Sequence, residues 1–494
     1  MLLSVTDEEI VERMRFDNPW WVAGGSVDKF FRDMPRRDYF PPFSDLVTQR
    51  QIRRAVILLG PRRVGKTVLV YQSIDQLIAQ GHKPERLLYL SLETPLYSGL
   101  PLEKLLRMFM SACQHGTDTP LTVFFDEIQY LRDWEVHLKS LVDSYPSIKF
   151  VATGSAAAAL RLKSRESGAG RFTDFLLPPL TFCEYLRFTG IEPSVIIESD
   201  TEEEYATKDI NQLNIAFVEY LNYGGYPEAV FDKNIRADSA RYIKSDIIDK
   251  VLLRDLPSLY GIQDIQELNR LFLTLAYNTG NEVALEGLSR NSGVAKNTIK
   301  RYVEYLEAAF LIRRVYRVDQ SARRFERENS FKVYLTNPTM RTALFGPIKD
   351  TDTNMGALTE TAVFSQWFHS PDSTNRLHYA RWKTGEIDIV HCDPALQKPD
   401  WIVEVKWSDR PVSDESLRAN SVAFAKRHPL KEAPLITTKT YNGKMTQDGI
   451  TIIFTPSSLY SYILGKNTVA AAGRKSSGVE EEKPNQLNLD ITTN

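Results

Sequence analysis

Eight consecutive residues of this chain have the types and spacing to grip a phosphate. Gly60, Pro61, Arg62, Arg63, Val64, Gly65, Lys66 and Thr67 satisfy the pattern G-x-x-x-x-G-K-[ST] without a mismatch. A loop of this kind aims backbone N–H groups and the N-terminus of a helix at an anion. Lys66 would reach the β- and γ-phosphates of a nucleotide such as ATP, the Thr67 hydroxyl would ligate Mg²⁺, and Val68 would open the helix behind them. Further along, the apolar run Leu121-Thr122-Val123-Phe124-Phe125 ends in two carboxylates, Asp126 and Glu127. That is the form of a Walker B strand, with Asp126 holding Mg²⁺ through water and Glu127 polarising the attacking water as a general base. After the strand-like Lys149-Phe150-Val151-Ala152, either Thr153 or Ser155 could orient that water and sense the γ-phosphate.

A second set of residues lies in the last third. Asp388 falls in the strand-like Gly385-Glu386-Ile387-Asp388-Ile389-Val390, and Glu404 and Lys406 in Trp401-Ile402-Val403-Glu404-Val405-Lys406-Trp407. Side chains alternate across a strand, so Glu404 and Lys406 share one face while Val403 and Val405 enter the core. Asp388 and Glu404 would then hold Mg²⁺ or Mn²⁺, and Lys406 would position or help deprotonate water for attack on a phosphodiester. Glu360, on a preceding helix, supplies a further acidic ligand. The order of these residues resembles the PD-(D/E)xK nuclease core.

The elements that must position these groups can be read around them. Ala55-Val56-Ile57-Leu58-Leu59 is a short continuous apolar run, as in a strand buried on both faces, and the helix after Thr67 breaks at Gly81. Strand-like and helix-like segments alternate over 51–195, which predicts a doubly wound parallel α/β sheet with its site outside the carboxyl ends of the strands. Residues 1–50 form a lead-in whose Asn18-Pro19-Trp20-Trp21 is expected to pack against that domain. The pattern over 196–280 is helical, a lid, with Arg254 and Asp255 as an ion pair at a helix end. Over 281–330, helix, the turn Ser292-Gly293-Val294, helix and two wing strands give a winged helix. Its basic residues are Lys296, Lys300, Arg301, Arg313, Arg314, Arg323, Arg324 and Arg327. They suit DNA phosphates better than base edges. Residues 331–465 would form the α/β restriction-endonuclease-like domain, and 466–494 has too little apolar content to fold alone.

The set GPRRVGKT, VFFDEIQ, ATGSA, GRFTDFLLPPLTFCEYL and YGGYPEAV resembles the bacterial and archaeal AAA-type (AAA_14) ATPases whose C-terminal half carries a DUF4143 region. The resemblance runs from about Asn18 to about residue 460. It implies ATP as the nucleotide, Arg171 as a candidate for reaching the γ-phosphate in cis or from a neighbouring copy in a homo-oligomer, and a nuclease-like C-terminal domain. ATP hydrolysis would drive DNA engagement and metal-dependent DNA cleavage, in nucleic-acid processing or anti-phage defence. The alternative is a nucleotide-dependent switch or scaffold that binds a protein partner, its nuclease-like domain silent. The family's aspartate–glycine pair after one strand is replaced here by Asn337-Pro338.

Composition narrows the classes. With 61 Lys and Arg against 63 Asp and Glu, the net charge is −2, so nucleic-acid binding would have to be local. Three cysteines, far apart and without a C-x-x-C pair, argue against a disulfide framework or a zinc site. No apolar run is long enough to cross a bilayer, so no membrane association and a cytoplasmic location are expected.

Overall fold

Apolar at every position and buried along its whole length, Ala55–Leu59 is strand β1 of a five-stranded parallel sheet. A computed structural model describes residues 6–155, 170–198, 205–318, 330–369, 375–393, 395 and 398–476. The chain divides into two compact units after Pro178.

In the first unit β2 (Leu87–Ser91), β3 (Leu121–Asp126), β4 (Ile148–Gly154) and β5 (Phe172–Leu176) join β1 in the order β2-β3-β4-β1-β5. The acidic strand β3 is therefore separated from β1 by β4, which pairs with both. Leu58 stands beside Thr153, and Phe125 beside Ala152, so the carboxyl ends of the three strands align. Helix Lys66–Ala79 follows β1 directly. The lead-in packs on the edge strand: Asn18 Nδ2 donates to the Tyr89 carbonyl (2.9 Å) and Asn18 Oδ1 accepts from the Tyr89 N–H (2.6 Å). Both Trp20 and Trp21 donate their indole N–H to the Leu87 carbonyl, at 3.1 and 2.8 Å. The expected packing role of the tryptophans is thus observed, and it is a polar as well as an apolar one.

The second unit begins at Pro179, ahead of the domain end at 195 that the sequence suggested. Phe182, Tyr185 and Leu186 of helix Phe182–Phe188 share a core with Phe217 and Tyr220 of helix Ile210–Tyr223, which ties this segment to the helical region C-terminal to it. A small antiparallel pair, β6 (Ile196–Glu198) and β7 (Tyr205–Thr207), was not expected. Helices then continue to Tyr277, with wide π-type turns over Lys244–Asp249 and Val251–Asp255.

The remaining strands form one mixed sheet. They are β8 (Glu282–Ala284), β9 (Ile312–Val318), β10 (Ser330–Leu335), β11 (Leu377–Trp382), β12 (Gly385–Cys392), β13 (Pro399–Glu404), β14 (Leu435–Thr438), β15 (Gly443–Gln447) and β16 (Ile450–Pro456). Their order is β15-β16-β14-β13-β12-β11-β9-β10-β8. Helices Leu285–Ser292 and Lys296–Ala308, joined at Gly293 in a left-handed conformation (φ +74°), lie between β8 and β9. The two helices and the turn at Gly293 expected over 281–330 are present, but they are preceded by the unexpected strand β8, and among the described residues β9 alone stands where two wing strands were expected, with β10 beginning at Ser330. The sheet here is not separate, because β9 pairs in parallel with β11 and carries the same sheet into the C-terminal region.

Helix Met355–Trp367 covers one face through Val363, Phe364 and Trp367, and Phe424 of helix Ala419–Arg427 covers the other. The last helix runs from Ser457 to Ser476, so the segment expected to lack structure from 466 begins as helix; Tyr460 and Leu464 anchor its start in the core. Residues 477–494, and Arg323, Arg324 and Arg327, lie outside the described residues. Among the described residues no helix is long and apolar enough to cross a membrane.

Candidate functional site

The loop after β1 is shaped by two glycines. A Cβ on Gly60 would come within 2.2 Å of the Leu177 carbonyl oxygen, and Gly65, which starts the helix, has φ +95°. Lys66 is buried, and its Nζ donates to the Gly60 (3.1 Å) and Pro61 (2.8 Å) carbonyls of its own loop.

Asp126, at the end of β3, gathers three hydroxyls from three other elements. Its Oδ2 accepts from Thr67 at 2.9 Å and from Tyr89 at 2.8 Å, and its Oδ1 from Thr153. The Thr153 oxygen in turn accepts from the Glu127 N–H at 3.0 Å. Glu127 is held in a left-handed conformation (φ +54°), a strained state for a non-glycine residue, and its carboxylate accepts from Gln129 Nε2. Burial pushes the Glu127 carboxyl above its ordinary range, with the Asp126 charge adding to the shift and Lys66 opposing it. A carboxylate with a raised affinity for protons is the better general base.

The structure thus brings Lys66, Thr67, Asp126, Glu127 and Thr153 together. Ser155 joins less directly: its N–H donates to Gln129 Oε1 at 3.3 Å, and its buried hydroxyl has no hydrogen-bond partner among the described residues. Arg171 does not join in cis. It precedes β5, whose Phe172 stands beside Ala55, so it lies at the amino end of the sheet while the phosphate loop follows the carboxyl end, and it pairs with Asp143. Tyr89 carried no signal in the sequence, since it looks like a core residue of an apolar strand, and Gln129 stood only at the end of the VFFDEIQ stretch with no role of its own. Hard oxygen donors converging at Thr67 and Asp126 fit Mg²⁺.

The second set assembles in the mixed sheet, with a device the sequence did not show. Ala380 stands opposite Ile387 but His378 opposite Val390, so Asp388 and Ile389 together face Tyr379 in a bulge. Asp388 Oδ2 accepts from the Val405 N–H (3.0 Å) and Lys406 Nζ (3.2 Å), and Glu404 Oε1 from Lys406 Nζ (2.6 Å). Val403 and Val405 enter the core as expected, although β13 ends at Glu404. Lys406 is fixed by its backbone: its N–H donates to Thr437 Oγ1 (2.7 Å) and its carbonyl accepts from Ser457 Oγ (2.8 Å).

Lys332 on β10 was missed. Its ammonium donates to Glu360 (2.9 Å) and Asp388 (3.2 Å) and pairs with Glu386 (2.6 Å), while Tyr334 donates to Glu360 at 2.6 Å. A lysine inside the apolar strand Ser-Phe-Lys-Val-Tyr-Leu was the available signal. Burial pushes Glu404 up to about 8 and Glu360 up to about 6, with Asp388 adding to both shifts and a lysine opposing each. Asp388 itself is held below its ordinary range, because Lys406, Lys332 and the Val405 N–H outweigh its burial. Among the described residues no group of three His, Cys, Asp or Glu is arranged to hold a metal ion, and the expected ligands Glu360, Asp388 and Glu404 face the ammonium groups of Lys332 and Lys406 instead.

Asn337, at the departure from the family pattern, is structural. It is buried, accepts from the Thr339 N–H (2.9 Å) and shapes the turn into helix Thr339–Phe345. The basic residues near β9 are largely engaged: Arg314 donates to Glu307 through two nitrogens (2.9 and 2.7 Å), Arg313 pairs with the same carboxylate, and Lys296 with Glu286.

A strand order that inserts β4 between the phosphate-loop strand and the acidic strand, with this loop at its end, defines a P-loop domain of the AAA type. Residues 52–186 match the family model described as AAA domain, which places the first unit in the nucleotide-binding ATPase class. Residues 214–351 match a domain of unknown function, DUF8612, where the sequence resemblance had pointed to DUF4143. An uncharacterized protein of Haemophilus influenzae is 24% identical over 403 residues, 81% of this chain and 92% of its own. Uncharacterized proteins of Methanocaldococcus jannaschii are 24% and 25% identical over 342 and 393 residues, 71% and 80% of their lengths. Among solved structures, AMPPCP-bound DnaA from Aquifex aeolicus is 12% identical, covering 57% of this chain and 91% of that one at a TM-score of 0.28. PCH-2 of C. elegans is 16% identical, covering 39% and 57% at a TM-score of 0.26.

Proposed function

We propose that the first unit binds ATP with Mg²⁺ and hydrolyses it, and that turnover drives the engagement of DNA by the second. The observation that carries the ATPase reading is the convergence on Asp126 of hydroxyls from the phosphate loop, β2 and β4, with the proton-hungry Glu127 next to it. Lys66 would leave the carbonyls of Gly60 and Pro61 for the β- and γ-phosphates. Thr67 and Asp126 would hold Mg²⁺, which neutralises phosphate charge when bound. Glu127 takes the proton of the attacking water, and Thr153, bonded to both the Asp126 side chain and the Glu127 backbone, fixes where that base points. Arg171 could reach a nucleotide only from another copy of the chain.

DNA engagement is supported by the two-helix element, whose second helix exposes Lys300 and Arg301. DNA cleavage is not part of the proposal, because the acidic centre of the mixed sheet is matched to lysines. That same neutralised centre favours a second reading, a nucleotide-dependent switch that binds a protein partner. ATP turnover measured with and without plasmid and linear DNA, on the wild type, Lys66→Ala and Glu127→Gln, separates the two. Stimulation by DNA that is lost in both variants supports DNA engagement. Turnover indifferent to DNA supports the switch, and turnover that survives Glu127→Gln removes the assignment of the base.

A further inference from the structure

Three carboxylate oxygens surround one buried ammonium in the second unit. Lys332 Nζ lies 2.9 Å from Glu360 Oε1, 2.6 Å from Glu386 Oε1 and 3.2 Å from Asp388 Oδ1, and its side chain is 4% exposed. A lysine ammonium has three N–H donors and no acceptor, so this coordination is complete. The other side of Asp388 is occupied as well, by the Val405 N–H and by Lys406, which also holds Glu404 at 2.6 Å.

A divalent cation would need oxygens at about 2.0–2.6 Å, and here those oxygens face ammonium groups instead. It would have to displace Lys332 or stand beside its like charge. Displacement is opposed by the fold. β10 pairs on both sides, with β8 and β9, and the lysine lies over the Tyr379 ring at 5.5 Å, so its backbone and stem are held within the sheet.

We propose that Lys332 is the resident cation of this centre: its ammonium stands where a metal ion would, and the acidic centre works without a divalent metal. The sheet then keeps the carboxylate arrangement of a metal-dependent site while its charge is balanced from within. This inference is independent of whether the first unit hydrolyses ATP.

The test is Mn²⁺ binding to the full chain, without nucleotide, followed by electron paramagnetic resonance. An Asp126→Asn background removes the carboxylate of the first unit from the signal. Four chains are compared in that background: Lys332 intact, Lys332 intact with Asp388→Asn, Lys332→Met, and Lys332→Met with Asp388→Asn. The expected result is no Asp388-dependent site with Lys332 intact, and in Lys332→Met one Mn²⁺ bound at least roughly tenfold tighter than any site of the parent, lost again on Asp388→Asn. A folded Lys332→Met chain, judged by circular dichroism, that gains no Mn²⁺ overturns the proposal. So does Mn²⁺ binding with Lys332 intact that Asp388→Asn abolishes. That last comparison uses chains that retain the lysine, and it decides the matter alone if Lys332→Met does not fold.

Discussion

Glu127 and Asp126 are neighbours with opposite surroundings, and the difference assigns their work. Asp126 accepts three hydroxyl hydrogen bonds from three other elements, so its position is fixed. Glu127 is desolvated and pushed toward the protonated form, which suits a group that must take a proton. Glu127→Gln keeps the shape and removes the base. It should lower kcat for ATP by about 10²- to 10⁴-fold while nucleotide binding, read by a fluorescent ATP analogue, stays within a few-fold. Equal loss of binding and turnover would mean that Glu127 shapes the loop instead. At the other centre the sign of a pH effect is set by Glu404. Its carboxyl, ordinarily near 4.5, is raised to about 8, so the folded chain binds a proton that the unfolded chain releases in between. Its stabilising contribution is present below 4.5 and lost as pH rises through 8. Urea midpoints, followed by hydrogen exchange across β12 and β13, should fall between about pH 5 and pH 9 by the equivalent of about 2–4 kcal/mol, and Glu404→Gln should flatten that slope.

Strands explain which residues the sequence could disclose. β1 is an unbroken apolar run, and β3 and β4 are apolar apart from Thr122 and Lys149 until their polar or acidic ends, so their existence and the chemistry at their ends were legible together. The order in which they pair was not, because inserting β4 between β1 and β3 is a matter of tertiary contacts. The bulge at Asp388 was hidden for the same reason: one extra residue in β12 is visible only against its partner β11. Lys332 and Tyr89 belong to strands far from any motif, and reach their sites because long side chains cross neighbouring strands. The edge strand β2 couples structure to chemistry. Asn18 satisfies both backbone groups of Tyr89, whose hydroxyl holds Asp126. Asn18→Ala would leave a buried N–H and a carbonyl without that partner, costing about 1–3 kcal/mol. It should also lower ATP turnover more than Trp21→Phe, which leaves the Leu87 carbonyl its bond from Trp20. Thermal melts together with phosphate release would show whether both losses occur.

Charge over the whole molecule limits how DNA could be engaged. The chain carries −2, and the described arginines of β9, Arg313, Arg314 and Arg317, are matched to Glu307 and Glu282 within the unit. Among the described residues of helix Lys296–Ala308, two exposed cations, Lys300 and Arg301, remain to meet phosphates. Affinity built on so few contacts is weak and shallow in its salt dependence, since each neutralised phosphate adds about 0.9 to the slope of log K against log salt. A slope near −2 to −4 is therefore expected, well below that of a protein dedicated to duplex binding. Replacing both Lys300 and Arg301 by Glu should reduce the slope by about 2 and weaken binding to all sequences alike, without altering ATP turnover measured in the absence of DNA. Fluorescence anisotropy of labelled duplexes over a salt series measures the slope directly. If the double variant binds like the wild type, this helix face is not what meets DNA. If binding is lost for one sequence and kept for another, base edges rather than phosphates are being read.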